Sequence, residues 1–405
     1  MHRLTNQVRP YAWGSRAAIP RMLGREPDGR PQAELWLGAH HGAPSTLCTE
    51  DGPVPFDDYI CAGPKDALGE WTVQRFGERL PFLLKVLAAE EPLSLQVHPD
   101  AARARAGFAA EEAAGIPIGA PHRNYRDPHH KPELVFALEP FEALCGFRDP
   151  ADAHADLREL DCELARALCC DLAHAAPHIA LRAALTRLLT LPAAHRGRLV
   201  GGFVAECEER AAEGIPEGLH TSTVIELARR YPGDPGAVAA LLLNRVTLQP
   251  GEALFLPAGN VHAYLHGVAV EVMASSDNVL RAGLTGKHVD PVELLDVVDF
   301  SVLPIPYTHP VHTDGQELGR SDFRPGVPEF ALVALGPGAI GADLPGDVPV
   351  VVLALEGRAV LRAGTGQQMS LGRGESVFVP AEAGGVRIDG HGRIVAATVG
   401  DDDWA

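Results

Sequence analysis

Apolar residues fall into two rhythms along this chain. Up to about Phe147, short apolar stretches alternate with Gly/Pro turns: PYAWGSRAAI, AELWLGAHHGAPS, LPFLLKVLAA, PLSLQVHPD, PELVFAL and FEALCGF. Several of them read as strands, spaced as in an all-β sandwich or barrel. One interruption, Ala101 to Gly115, is rich in Ala and Glu and predicts a helix with Asp100 as its N-cap. From Asp149 to about Leu243 the apolar positions recur every three or four residues, as in DLRELDCELARALCCDLA and IALRAALTRLLTL, which predicts amphipathic helices. Pro177, Pro192, Pro216 and the YPGDPG cluster divide this stretch into four or five of them. Strand patterning returns in NRVTLQPGEALFLPAG and HGVAVEVMA, PVELLDVV predicts a helix opened by its Pro, and a linker rich in Pro and His (Leu303 to Thr313) sets off a last β piece.

This pattern predicts a mainly β fold with a helical insert. Residues 1–148 and 244–310 are expected to form one β-barrel domain, 149–243 the insert, and 311–405 a second β domain. The last piece repeats part of an earlier one: Gly374 and Pro380 keep the spacing of Gly251 and Pro257. Where the first copy continues with Gly259 and His262, the second has Glu382 and no histidine, so it is expected to bind no metal.

A chain of 405 residues, 46% of them hydrophobic and without an apolar run of spanning length, predicts a soluble globular protein. The start, MHRLTNQVRPYAWG, has no apolar segment behind its Arg, so no signal peptide is expected and the cytoplasm is the default. The seven cysteines form no CxxC pair and include the neighbours Cys169 and Cys170, which suits a reducing compartment. A net charge of -18 argues against a nucleic-acid partner, yet leaves room for a local cationic pocket that takes a phosphorylated small molecule.

Four motifs carry candidate chemistry. In LPAGNVHAYLHG, a strand runs into a Pro/Gly turn that holds His262, either as a metal ligand or as a solvated turn residue. In LSLQVHPD, alternation puts Ser94, Gln96 and His98 on one strand face, either wet or pointing into a barrel mouth. In HHKPELVFAL, Glu133 opens an apolar strand just after Lys131. Two imidazoles with a carboxylate and an amide oxygen would suit Zn²⁺, and less selectively Mn²⁺, Fe²⁺ or Co²⁺. In SSDNVLRAGLTGKH, Arg281 and Lys287 sit six residues apart, either as ordinary surface charge or, beside a candidate metal site on so acidic a chain, as an anion site.

Together these motifs, with PYAWGS, AELWLGAHHGAPS, LPFLLKVL and FEALCGFR, resemble the type I mannose-6-phosphate isomerases, a branch of the cupins. The likeness runs in order over most of residues 7 to 300. It implies cupin-type double-stranded β-helix (jelly-roll) domains, one Zn²⁺ per chain held by Gln96, His98, Glu133 and His262, and Arg281 as the catalytic cation. It places Lys85, Ser94, Lys131, Tyr264, Glu271 and Lys287 in the pocket, with Ser94 and Lys287 toward the substrate phosphate. The chain departs from many relatives in reading Thr285-Gly286-Lys287 where they read TPK. The implied reaction converts mannose 6-phosphate to fructose 6-phosphate through an enediol, in a monomer without nucleic-acid or membrane partners.

Glu271, on the apolar strand GVAVEVM, is the first choice as proton carrier, with His130 and Lys131 as alternatives and a structural ion pair with a lysine as its other reading. Two further readings compete. One is another metal-dependent cupin enzyme, a dioxygenase or a different sugar isomerase, of which the dioxygenase would favour Fe²⁺ with two His and one carboxylate. A non-catalytic sugar-binding cupin would bind without turnover.

Overall fold

The computed structural model describes residues 1–213, 218–311, 319–336 and 342–400, so Pro216 and the end of the Leu303–Thr313 linker lie outside the described residues. The described chain is mainly antiparallel β-sheet with an inserted helical layer. In the sheet that bears the candidate site, the strand order is Tyr307–Thr308, Ala253–Leu256, Glu133–Ala137, His262–Ala274, Phe82–Ala89, Glu34–Leu37 and Gln7–Arg9. The long strand His262–Ala274 is its hub. The second half pairs with Phe82–Ala89 and Glu133–Ala137, while the first half pairs with Leu95–Val97 and Phe141–Phe147. A register shift between Tyr264 and His266 marks the change of partners. Such an irregularity bends one strand so that it can serve two sheet segments and close a barrel.

The helical insert packs behind this barrel. Leu164, Leu168, Leu172, Leu181, Leu185 and Leu188 recur at helical spacing and are buried with Leu95, Val97, Val261, Ala263, Leu280 and Ala282. The apolar face of Leu95–Val97 thus points to the insert, which leaves the face of Gln96 for the site. Each leucine so buried stabilises the fold by roughly 1.5–3 kcal/mol. Of the insert histidines, His174, His178 and His195 are exposed and His220 is half-buried.

One short helix, Pro235–Ala239, touches the strand Leu280–Gly283 almost backbone to backbone. A Cβ on Gly236 would come within 2.8 Å of Leu284 N, and one on Gly283 within 2.7 Å of Gly236 Cα. Asp234, whose side chain caps this helix at Gly236 N, also accepts from Thr285 N at 3.2 Å. Because neither backbone can yield without moving the other, Gly236→Ala should destabilise the protein by about 1–3 kcal/mol. A urea titration monitored by fluorescence checks this; an unchanged midpoint would mean the contact is loose.

The strand reading needs correction near the N-terminus. PYAWGSRAAI contains no strand: Gln7–Arg9 ends before Pro10, and Ala18–Met22 is helical. Short helices Phe56–Ala62, Pro64–Leu68 and Glu70–Phe76 also lie between the expected strands. Gly63, Gly69 and Gly77 end each one, so none is long enough to show a helical period. The expected helix after Asp100 forms as Ala101–Ala113, with the Asp100 side chain accepting from Arg103 N.

The C-terminal strands build a second sheet in the order Arg320–Phe323, Ala331–Leu335, Ile394–Thr398, Val350–Ala354, Ser376–Val379, His2–Thr5, Thr46–Thr49 and Gly52–Pro55. Three of these strands come from the first 55 residues, so the chain's start is woven into the sheet of its end. Phe323, Leu332, Val351 and Phe378 of this sheet share a core with Leu84, Val86, Phe136 and Val270 of the site-bearing one. The internal echo has a geometric basis. Gly251 (φ 95°) and Gly374 (φ 77°) each open a four-residue strand, Ala253–Leu256 and Ser376–Val379, that ends at a proline.

Candidate active site and metal centre

His262 begins the hub strand directly after the turn through Pro257 and Gly259. Gly259 adopts φ 79°, a left-handed conformation that favours glycine, and its N–H donates to His98 O at 2.9 Å. The turn therefore ties the His262 strand to the backbone of His98. Across the strands, His262 lies opposite Gln96, and Gln96 lies opposite Arg281, so three predicted residues form one cross-strand row. Glu133 opens the strand Glu133–Ala137 opposite Met273 and Leu256.

His98, Glu133 and His262 converge with almost no exposure. His98 Nε2 lies 3.4 Å from Glu133 Oε1, and His262 Nε2 lies 3.3 Å from Glu133 Oε2. Each imidazole is oriented from behind: His98 Nδ1 donates to Asn278 O at 2.8 Å and His262 Nδ1 to Asn260 O at 3.0 Å. This arrangement fixes the tautomer that leaves a lone pair on Nε2, as in metal sites. Both Nε2 atoms and Glu133 Oε2 are buried without a hydrogen-bond partner. Stranding such atoms costs about 1–3 kcal/mol each unless a cation fills the gap. The ligand atoms lie within 4.8 Å of one another, a spacing that a divalent cation can bridge.

Protonation agrees with ligation. Burial pushes His98 down to about 4, with Lys131 adding to it, so the imidazole is neutral near pH 7. Burial opposes ionisation of Glu133, but Lys131, whose Nζ is 2.7 Å from Oε1, and the histidines hold it well below the usual carboxylate range.

A second row, Trp36–Lys85–Glu271, crosses three adjacent strands. Lys85 Nζ lies 3.0 Å from Glu271 Oε2 and 3.8 Å from Glu34 Oε2. Tyr264 donates to Glu271 Oε1 at 2.9 Å, and Trp36 Nε1 donates to Glu34 Oε2 at 2.5 Å. Burial works against charge on Lys85, but Glu271, Glu34 and Glu133 outweigh it and raise the ammonium's pKa. Burial raises Glu271 above the ordinary carboxylate value despite Lys85, and Glu133 adds to the rise. Burial and the same carboxylates push Tyr264 well above the usual phenol range, so it stays a donor. Glu34, Glu133 and Glu271 face Lys85 and Lys131, leaving one carboxylate in excess in a buried cluster. A divalent cation would offset that excess.

Lys85, Ser94, Gln96, Lys131, Glu133, Tyr264, Glu271, Arg281 and Lys287 all line a single cavity of about 840 Å³. His98 and His262 stand behind it and meet it through Glu133. His130 does not line it and instead pairs with Glu329 at 2.6 Å. Arg281 is partly buried and Lys287 exposed, and neither forms an ion pair with any described residue.

Sequence reasoning missed several residues of the same cavity: Glu34, Trp36, His40, Arg126 and Asp277. For Glu34, Trp36 and His40 the signal lies in AELWLGAHHGAPS, where polar residues interrupt an apolar run, whereas Arg126 and Asp277 stand in irregular loops. His40 Nδ1 accepts from Gly42 N at 3.1 Å, so its Nε2 carries the proton and points to Asp277 Oδ1 at 3.2 Å. Burial opposes ionisation of Asp277, but the His40 hydrogen bond and the nearby His41 and Lys131 bring it down to about 2.

Comparison with known proteins gives the same picture. Residues 1–150 match the family described as "Phosphomannose isomerase type I, catalytic domain", and residues 346–399 match "Mannose-6-phosphate isomerase, cupin domain". The mannose-6-phosphate isomerase of Salmonella typhimurium is 41% identical over 412 residues, covering 97% of this chain and 98% of the relative. The human mannose-6-phosphate isomerase is 32% identical over 415 residues, covering 97% and 94%. A crystal structure of mannose 6-phosphate isomerase in its zinc-bound holo form superposes with a TM-score of 0.88 at 38% identity, covering 99% of both chains. A variant of the Salmonella typhimurium phosphomannose isomerase gives a TM-score of 0.89 at 38% identity, covering 99% of this chain and 100% of that one. With such likeness over nearly its full length, in sequence and in fold, the chain belongs to the type I phosphomannose isomerase family.

Proposed function

We propose that the protein interconverts mannose 6-phosphate and fructose 6-phosphate as a zinc-dependent aldose–ketose isomerase. The observation that carries this reading is the buried His98–Glu133–His262 group, with its partnerless Nε2 and Oε2 atoms, beside a cavity where Arg281 and Lys287 have no ion pair with any described residue. Gln96, His98, Glu133 and His262 would hold the ion. Zinc, when bound, supplies Lewis-acid polarisation of sugar oxygens.

The chain's own groups do the rest. Moving a proton from C2 to C1 through an enediol places negative charge on O1 and O2. Arg281 stays cationic at any working pH and stabilises that charge as it develops. Glu271 takes the proton from C2 and returns it to C1, its carboxyl oriented by Tyr264 and Lys85. Lys131 fixes Glu133 in its ionised form, and Ser94 and Lys287 face the phosphate. We assign residues 1–148 with 244–310 to the catalytic domain, 149–243 to an insert that backs it, and 311–405 to a metal-free β domain. No described helix is long and apolar enough to cross a membrane, and we place the enzyme in the cytoplasm as a monomer.

A coupled isomerase assay on chelated and zinc-restored protein tests the function. Activity should vanish on chelation and return with zinc; activity indifferent to both treatments would overturn the reading. Glu271→Gln keeps the Tyr264 and Lys85 contacts in shape but removes the base, so kcat should fall about 10²- to 10⁴-fold. Solvent deuterium should cease to enter C2 of the sugar at the same time. Turnover within a few-fold of wild type would leave Glu271 only as the partner of Lys85.

A further inference from the structure

Arg126 lines the cavity with Arg281 and Lys287, and it has no anionic partner among the described residues. Its own charge reaches both of the others. After burial, Arg126 is a cause of the lowered pKa of Arg281, and Arg281 and Arg126 follow burial in lowering Lys287. None of the three forms an ion pair with a described residue, and three such cations at one cavity repel one another. The backbone that carries Arg126 is clamped at the cavity edge. Its N–H donates to Asn278 Oδ1 at 2.7 Å, and Asn278 Nδ2 donates to Asp127 O at 2.7 Å and His129 O at 2.8 Å. On the other side, buried Tyr125 donates its N–H to Glu111 Oε2 at 2.8 Å and its hydroxyl to Glu293. Asn278 is itself fully buried and accepts from His98 Nδ1 through its carbonyl. One residue therefore fixes both the cationic loop and the imidazole behind the cavity.

We propose that Arg126 is a further phosphate-binding cation, which with Lys287 forms a clamp for the dianionic phosphate of the sugar substrate, while Arg281 serves the reacting end of the sugar. This rests on the isomerase reading for the identity of the sugar, though not for the anion site itself. A phosphate near pH 7 carries about -1.5 to -2 charges and three strong acceptor oxygens. The planar guanidinium of Arg126 can engage two of them side by side through its fixed fork, a geometry that a lysine ammonium lacks.

The test uses the zinc-loaded full chain and its Arg126→Gln and Arg126→Lys variants. Binding of inorganic phosphate and of mannose 6-phosphate is measured by calorimetry, and KM by the coupled assay. Arg126→Gln should weaken both ligands about tenfold and raise KM by a like factor, with zinc content and melting temperature at wild-type values. Arg126→Lys should recover part of that loss. Unchanged phosphate affinity in Arg126→Gln would overturn the proposal, as would an equal loss of kcat/KM toward unphosphorylated mannose. Wild-type protein that binds phosphate but never isomerises the sugar would sink the isomerase reading and leave the clamp standing.

Discussion

Glu133→Gln is expected to lose zinc and activity together, and Lys131 explains why the fold would suffer as well. Among the described residues, the Glu133 carboxylate is the only acid that both imidazoles address, at 3.4 and 3.3 Å. Loss of a hydrogen-bond partner behind a metal ligand weakens metal binding about 10- to 100-fold, and loss of the ligand itself should cost at least as much. Zinc content after dialysis, measured by atomic absorption, should fall to background. Lys131 Nζ, 2.7 Å from Glu133 and scarcely exposed, would be left as a buried cation, which destabilises by about 3–5 kcal/mol. Pairing the change with Lys131→Met should therefore restore much of the stability and none of the zinc. A single variant that keeps stoichiometric zinc would remove Glu133 from the ligand set.

The same cluster sets a pH dependence for the metal-free protein. His98 titrates near 6.5 in the unfolded chain and at about 4 in the folded one. Between these values the unfolded state takes up a proton that the folded state refuses, so stability must fall as pH drops from 6.5 toward 4. Zinc, which binds the neutral imidazole, should shift that loss to lower pH. Melting temperatures of chelated and zinc-loaded protein across this range check it; parallel curves would contradict the assigned ligation.

Much of this site was legible because its chemistry is written in short strands. Gln96, His98, Glu133 and His262 each sit at or beside a strand end, where alternation or a Pro/Gly turn exposes them to a sequence reading. The helical insert was legible for a similar reason, since its leucines keep a helical period over long runs. What escaped was set by pairing between distant segments. Nothing local says that Trp36, Lys85 and Glu271 share one cross-strand row, nor that His2–Thr5 joins the sheet of residues beyond 319. Arg126 and Asp277 were overlooked because each stands in an irregular loop, without period, and gains its meaning only when Asn278 draws the two loops together. An ion pair of Glu271 with a lysine is one of the two sequence readings, and the structure supplies Lys85 as that lysine while leaving the carboxyl facing the cavity. A carboxyl raised by burial while held by two donors is suited to exchange a proton without moving.

Arg281→Ala should be among the most damaging single changes that leave zinc in place. Arg281 lies opposite Gln96 in the strand pairing and so next to the metal-bearing row, yet its side chain has no acidic partner among the described residues. Its charge is therefore not neutralised in the resting protein and remains available to charge that develops on the sugar. Removing one preorganised donor to a transition-state oxyanion typically costs about 10²- to 10³-fold in kcat, and a full cation at least that. The backbone at Arg281 is held by the Gly236–Gly283 contact and by the strand Leu95–Val97, none of which involves the guanidinium, so the alanine variant should fold and bind zinc normally. Arg281→Lys should restore charge without the planar fork and recover only part of the rate. If Arg281→Ala turns over at near wild-type kcat with zinc bound, the oxyanion must be stabilised elsewhere. Lys131 would be the next group to test, since it is the other cation that lines the cavity beside Glu133.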